Sequence, residues 1–135
     1  MKSKIIFLTL IFGLVFGAHA QKSKQTIEVL YFKANLACCK ARACNALESE
    51  LKTMIETNFV DGNVVFKVVK IADEQNKDLV QQYNAQSQSI VIVKKKKKID
   101  AFADVSNLAK EYVSSGDKEA FEAALVAKIN AVKKM

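Results

Sequence analysis

The sequence predicts an α/β fold, a four-stranded mixed sheet with helices on both faces, in the order β-α-β-α-β-β-α-α. Three observations lead there. Short runs rich in β-branched and aromatic residues recur along the chain, and segments with apolar residues three or four apart lie between and after them. The stretch SIVIV-KKKKK-IDAFA (89–103) reads as a hairpin with lysines near its tip. A strand–helix–strand opening calls for a parallel crossover, and a closing hairpin plus a C-terminal helix completes a sheet covered on both faces.

Residues 1–20 stand apart from that domain. Lys2 and Lys4 make a basic start, Ile5 to Phe16 is an apolar run broken by Thr9 and Gly13, and Ala18-His19-Ala20 has the small-x-small pattern of a signal-peptidase site. The segment reads as a secretory signal peptide, with a mature protein that begins at Gln21 and is periplasmic or secreted. The run is short for a membrane span and no second apolar stretch follows, so no transmembrane anchor is expected in the mature protein. Gln21 to Gln25 is polar and reads as a flexible lead-in, leaving 26–135 as one domain with one core.

Thr26 to Phe32 (TIEVLYF) reads as the first strand and Ala34 to Ala37 as a short loop. A helix from about Cys39 to Asn58 follows, with Cys44, Leu47, Leu51, Met54 and Ile55 on one face. Asp61-Gly62-Asn63 is a turn before a second strand, Val64 to Ile71. Asp73 to Tyr83 is a polar helix with Leu79, Val80 and Tyr83 on its inner face, and its acids Asp73, Glu74 and Asp78 read as a solvated face. Ser89 to Val93 is nearly continuously apolar, as a buried strand should be. Ile99 to Ala103 is a shorter fourth strand. Val105 to Val113 is a short helix ended by Ser114-Ser115-Gly116, and Asp117 can cap a last helix carrying Phe121, Leu125, Ile129 and Val132.

Removal of Lys2 and Lys4 takes the formal charge from +7 to +5, and Lys94 to Lys98 accounts for that remaining excess. A nucleic-acid-coating surface is therefore not indicated. The run reads as a charged edge hairpin that blocks edge-to-edge pairing. The alternative is weak contact with an anionic surface, lipid or polyanion, although no aromatic residues interleave the lysines.

His19 is the one histidine and belongs to the signal segment, so a Cys–His pair or a His-bearing zinc site cannot form in the mature chain. Two glycines remain, Gly62 and Gly116, and no glycine-rich phosphate loop exists. What remains is a thiol cluster. Cys38, Cys39 and Cys44 lie within eight residues of one another, with Lys40 and Arg42 between them. A helix N-terminus carries partial positive charge and stabilises a thiolate, which favours Cys38 and Cys39 as reactive groups supported by Lys40 and Arg42. Cys44 falls on the Leu47/Leu51 stripe and reads as a small core hydrophobe. Cys39 and Cys44 stand roughly 140° apart on a helix, and a Cys38–Cys39 bridge closes a strained ring. No pairing is comfortable, which leaves at least one thiol for chemistry, for an intermolecular partner such as an exported protein thiol, or for a soft ion such as Cu(I) held by Cys38, Cys39 and perhaps Cys44.

The strand VLYF (Val29 to Phe32) running into Cys38, the helix after it and the later SIVIVKK resemble the thioredoxin-like superfamily over essentially the whole mature chain. The likeness is to small exported bacterial members, some labelled as a nitrophenyl-compound nitroreductase subunit. The resemblance implies a thioredoxin-like fold with its site at the first strand–helix junction. No resident cofactor is expected, the alternative being Cu(I) or another thiophilic ion. It also exposes two departures. Counting from Phe32 without a gap puts Cys38 at the first position of the family's Cys-x-x-Cys and Ala41 at the second; shifting by two puts Leu36 first and Cys39 second. The family's cis-proline before the third strand is replaced within Gln86-Ser87-Gln88-Ser89, with Gln88 as its expected occupant. Both departures argue against ordinary dithiol–disulfide exchange.

Overall fold

A computed structural model describes residues 25–35 and 38–135, with residues 38–41 described through their backbone. Residues 1–24, Leu36 and Ala37 lie outside the described residues, and with them the expected signal peptide and most of the expected lead-in.

The elements are β1 (Ile27–Lys33), α1 (Cys38–Asn58), β2 (Val64–Lys70), a 3-10 turn (Glu74–Asn76), α2 (Lys77–Gln82), β3 (Ile90–Lys94), β4 (Ala101–Asp104), α3 (Ser106–Ser115) and α4 (Lys118–Lys134). The chain is α/β, with one four-stranded mixed sheet in the order β2-β1-β3-β4. β1 and β2 run parallel around α1, while β3 is antiparallel to both β1 and β4.

Period-two alternation in the two central strands sends side chains to both faces. Val29 and Tyr31 of β1 pair with Ile92 and Ile90 of β3 on one face. Leu30 of β1 pairs with Val91 on the other, where Phe32 and Val93 also lie. The first face is covered by α1, α3 and α4 through Leu47, Leu51, Met54, Ala109, Phe121, Leu125, Ile129 and Val132. The second face is covered by α2 through Leu79 and Val80, with Tyr83 at the C-cap of that helix. The stripes read from the spacing in α1 and α4 are buried throughout.

Local chemistry sets the helix ends. Gly116 ends α3 at φ 71°, a left-handed cap that favours glycine, and its N–H donates to the Tyr112 carbonyl at 2.8 Å. Asp117 starts α4 by accepting from the Ala120 N–H at 3.0 Å. Most boundaries fall within a residue or two of expectation, and three of the differences have a visible cause. The Asp73–Tyr83 segment divides into the 3-10 turn and the short α2. Val105 precedes α3 and is buried, because its side chain joins the core while its N–H bonds the Ile90 carbonyl. The fourth strand starts at Ala101, and Ile99 is 82% exposed in the hairpin loop. Asp100 makes that loop by accepting from the Lys96 N–H at 3.1 Å and from Lys95 Nζ at 2.8 Å, which holds the chain out of sheet pairing there.

Candidate functional site

α1 begins at Cys38, so Cys38, Cys39 and Lys40 belong to its first turn, where backbone N–H groups have no partner within the helix. The side chains of Cys38, Cys39 and Lys40 lie outside the described residues. Arg42 is exposed, and its i+4 spacing from Cys38 places the two positions on one helix face.

Cys44 is 1% exposed. Its Sγ is 4.0 Å from Ser87 Oγ, and its carbonyl accepts a hydrogen bond from the Tyr31 hydroxyl at 3.1 Å. Burial, with Cys44 alongside, holds the Tyr31 phenol far above the usual tyrosine range, so it is a neutral donor. One turn beyond Cys44, Glu48 binds Lys33 Nζ at 2.6 Å, tying the end of β1 to α1.

The loop between α2 and β3 completes this end of the sheet. Gln88 stands two residues before β3, at φ 69°, and its N–H donates to the Phe32 carbonyl at 2.8 Å. Phe32 N–H in turn donates to the Ser89 carbonyl at 2.9 Å. Asn84, at φ 46°, opens the same loop. For a non-glycine residue the left-handed region costs about 1–2 kcal/mol, so the two positions are held by the surrounding hydrogen bonds. Gln88 and Cys44, singled out from the sequence, are thus brought to the same end of the sheet as the first turn of α1. Sequence reasoning missed Ser87, whose contact with Cys44 spans 43 residues, and the Tyr31 hydroxyl, since a tyrosine in a strand carries no signal of its partner.

No protein-family model and no curated protein matches the chain. A solved structure described as that of a malarial protein is similar at 22% identity, covering 58% of this chain and 80% of that one, with a TM-score of 0.38.

Among the described residues, no group of three His, Cys, Asp or Glu side chains is placed to hold a metal ion, and no helix is long and apolar enough to cross a membrane. The lysine run lies at the opposite end of the sheet from α1's first turn. Lys94 Nζ donates to the Lys133 carbonyl at 2.6 Å and Lys96 Nζ to the Met135 backbone oxygen at 2.8 Å. Cations at a helix C-terminus offset its partial negative charge, so alternate lysines of the run fasten α4. Lys97 and Lys98 are exposed at the tip.

Proposed function

We propose that this chain is an exported thioredoxin-fold thiol protein whose chemistry lies at Cys38 and Cys39. The observation that carries the reading is the start of α1 at Cys38, which gives both cysteines the helix terminus that stabilises a thiolate. The fold supports it through the parallel β1–β2 pair around α1, the antiparallel β3–β4 hairpin, and the α2–β3 loop that reaches α1 through Ser87.

In this reading the Cys38 thiolate attacks a disulfide of an exported protein partner. One sulfur of that disulfide joins Cys38 in a mixed disulfide and the other leaves as the partner's thiolate. Release then needs a second thiol. Cys39 would close a strained ring, Ala41 has no sulfur, and Cys44 is packed in the core. General disulfide reductase activity is therefore expected to be weak.

A brief alkylating pulse on the reduced protein at neutral pH, followed by peptide mapping, tests the assignment. Cys38 or Cys39 should label at least tenfold faster than Cys44, since thiolate fraction and access both favour them. Faster labelling of Cys44 overturns it. Cu(I) competition with a chelator, run beside an insulin-type reduction assay, separates the exchange reading from a thiophilic-ion binder. Competitive Cu(I) binding that is lost in Cys38→Ser, with no thiol exchange, replaces the first reading with the second.

A further inference from the structure

The sheet end opposite the thiols gathers three loops. Ile27, which starts β1, pairs with Val64 of β2 and Lys94 of β3, and its N–H bonds the Asn63 carbonyl at 2.8 Å. This joins the α1–β2 turn to the hairpin. The C-terminal turn of α4 is drawn to the same place by Lys94 and Lys96, and Lys133 Nζ lies 4.6 Å from the centroid of the Phe59 ring. The three most exposed large apolar side chains among the described residues all fall here: Val60 at 88%, Ile99 at 82% and Met135 at 61%, one from each segment. Single exposed apolar residues are ordinary, but their convergence on one pole is not.

Charge at this pole is strongly one-sided. Lys94 to Lys98, Lys133 and Lys134 outnumber the acids near them: Asp100, Asp61, Glu56 beside Val60, and Glu28 near Lys95, the last two paired with Lys52 and Lys67. Asp100 is engaged by Lys95, and Asp61 accepts from the Asn63 amide. Intramolecular bonds fix Lys94 and Lys96 but leave their charge in place, while Lys97, Lys98 and Lys134 are exposed.

We propose that this pole docks onto an anionic phospholipid surface. The lysines would meet the headgroup phosphates, and Val60, Ile99 and Met135 would enter the boundary between headgroups and acyl chains. Charge complementarity selects an anionic partner. The aliphatic character of the exposed side chains selects lipid over nucleic acid, which is gripped by lysines interleaved with aromatic stacking surfaces. The site is separate from the thiol chemistry, because it occupies the other end of the sheet. Docking here would leave the first turn of α1 directed away from the bilayer.

Vesicle co-sedimentation of the full chain tests this, read as the ratio of binding to phosphatidylglycerol-containing vesicles over pure phosphatidylcholine vesicles. The ratio should exceed a hundredfold at 0.1 M salt. It should fall about thirtyfold in Lys97→Gln/Lys98→Gln, the loss expected for two surface lysines. Ile99→Ser, at unchanged charge, should lower the affinity for the phosphatidylglycerol-containing vesicles themselves several-fold while leaving the ratio nearly unchanged. Residues 1–20 carry Lys2 and Lys4 and favour anionic vesicles themselves, a contribution common to the parent and both variants, so the differences between variants and parent assign the binding to this pole. Thermal unfolding of both variants should match the parent, since the substituted side chains are exposed. A ratio near one overturns the proposal. So does equal binding to single-stranded RNA or heparin that Ile99→Ser leaves unaltered, because that result assigns the pole to soluble polyanions.

Discussion

Three helices cover one face of the sheet and one short helix covers the other, although the same two central strands supply both faces. Val29 and Tyr31 on the first face are as fully buried as Phe32, Val91 and Val93 on the second. The difference lies in the covering elements. α4 buries Phe121, Leu125, Ile129 and Val132, whereas α2 buries no residue completely within its span, and Tyr83 at its C-cap closes the layer. A thinly covered layer is one that opens locally at low cost. The α2–β3 loop, which meets α1 through Ser87 and carries Gln88, springs from that layer.

Truncation in the two layers gives the largest contrast. Leu51→Ala or Leu125→Ala should cost about 2–5 kcal/mol, the usual loss for a leucine removed from a packed core. Val80→Ala, in the half-buried cover, should cost about 1 kcal/mol or less. Urea unfolding measures both, and equal losses would break the contrast. Amide exchange sharpens it: α2 should exchange through local opening while α4 exchanges near the global rate.

Tyr31→Phe should cost about 1 kcal/mol, the net worth of one hydrogen bond to the Cys44 carbonyl. It should also change the alkaline limb of stability. Burial raises the Tyr31 pKa, so the folded state keeps its proton where the unfolded chain loses it. That contribution is intact below about pH 10 and is lost as pH rises further. Denaturant midpoints between neutral pH and pH 11 should fall less steeply in Tyr31→Phe than in the parent.

The smallest effect is expected at Gln88. Glycine relieves about 1–2 kcal/mol of left-handed strain and adds about 0.5–1 kcal/mol of unfolded-state entropy, so Gln88→Gly should stabilise by less than about 1 kcal/mol. A rise of a few degrees in Tm is the readout. A fall would mean that the Gln88 side chain contributes packing that outweighs its backbone strain.

The deep layer was legible in the sequence because its helices are long enough for the 3.6-residue period to repeat. The Cys44-Leu47-Leu51 and Phe121-Leu125-Ile129 stripes state which side faces the sheet, and Cys44 was placed in the core on that basis. The shallow layer was less legible, since α2 is too short for its period to repeat and the 3-10 turn ahead of it has no distinct signature. Ile99 reads as a strand residue because it is β-branched and opens IDAFA, yet Asp100 bonds to Lys95 and Lys96 hold that stretch in a loop. At the candidate site, the helix start at the cysteines was visible in the chain. The contact of Cys44 with Ser87 was not, because it depends on how a loop returns to the sheet.

The lysine hairpin has a consequence during folding. In the unfolded chain Lys94 to Lys98 repel one another, and neither Asp100 nor the α4 carbonyls are yet in place to offset them. β3 and β4 are close in sequence and should meet early, whereas pairing Tyr31 with Ile90 must close a far longer loop. The charges that decorate the finished hairpin therefore act as an electrostatic brake on its nucleation. Added salt, by shortening the Debye length to about 10 Å at 0.1 M, releases that brake and speeds the first step of assembly.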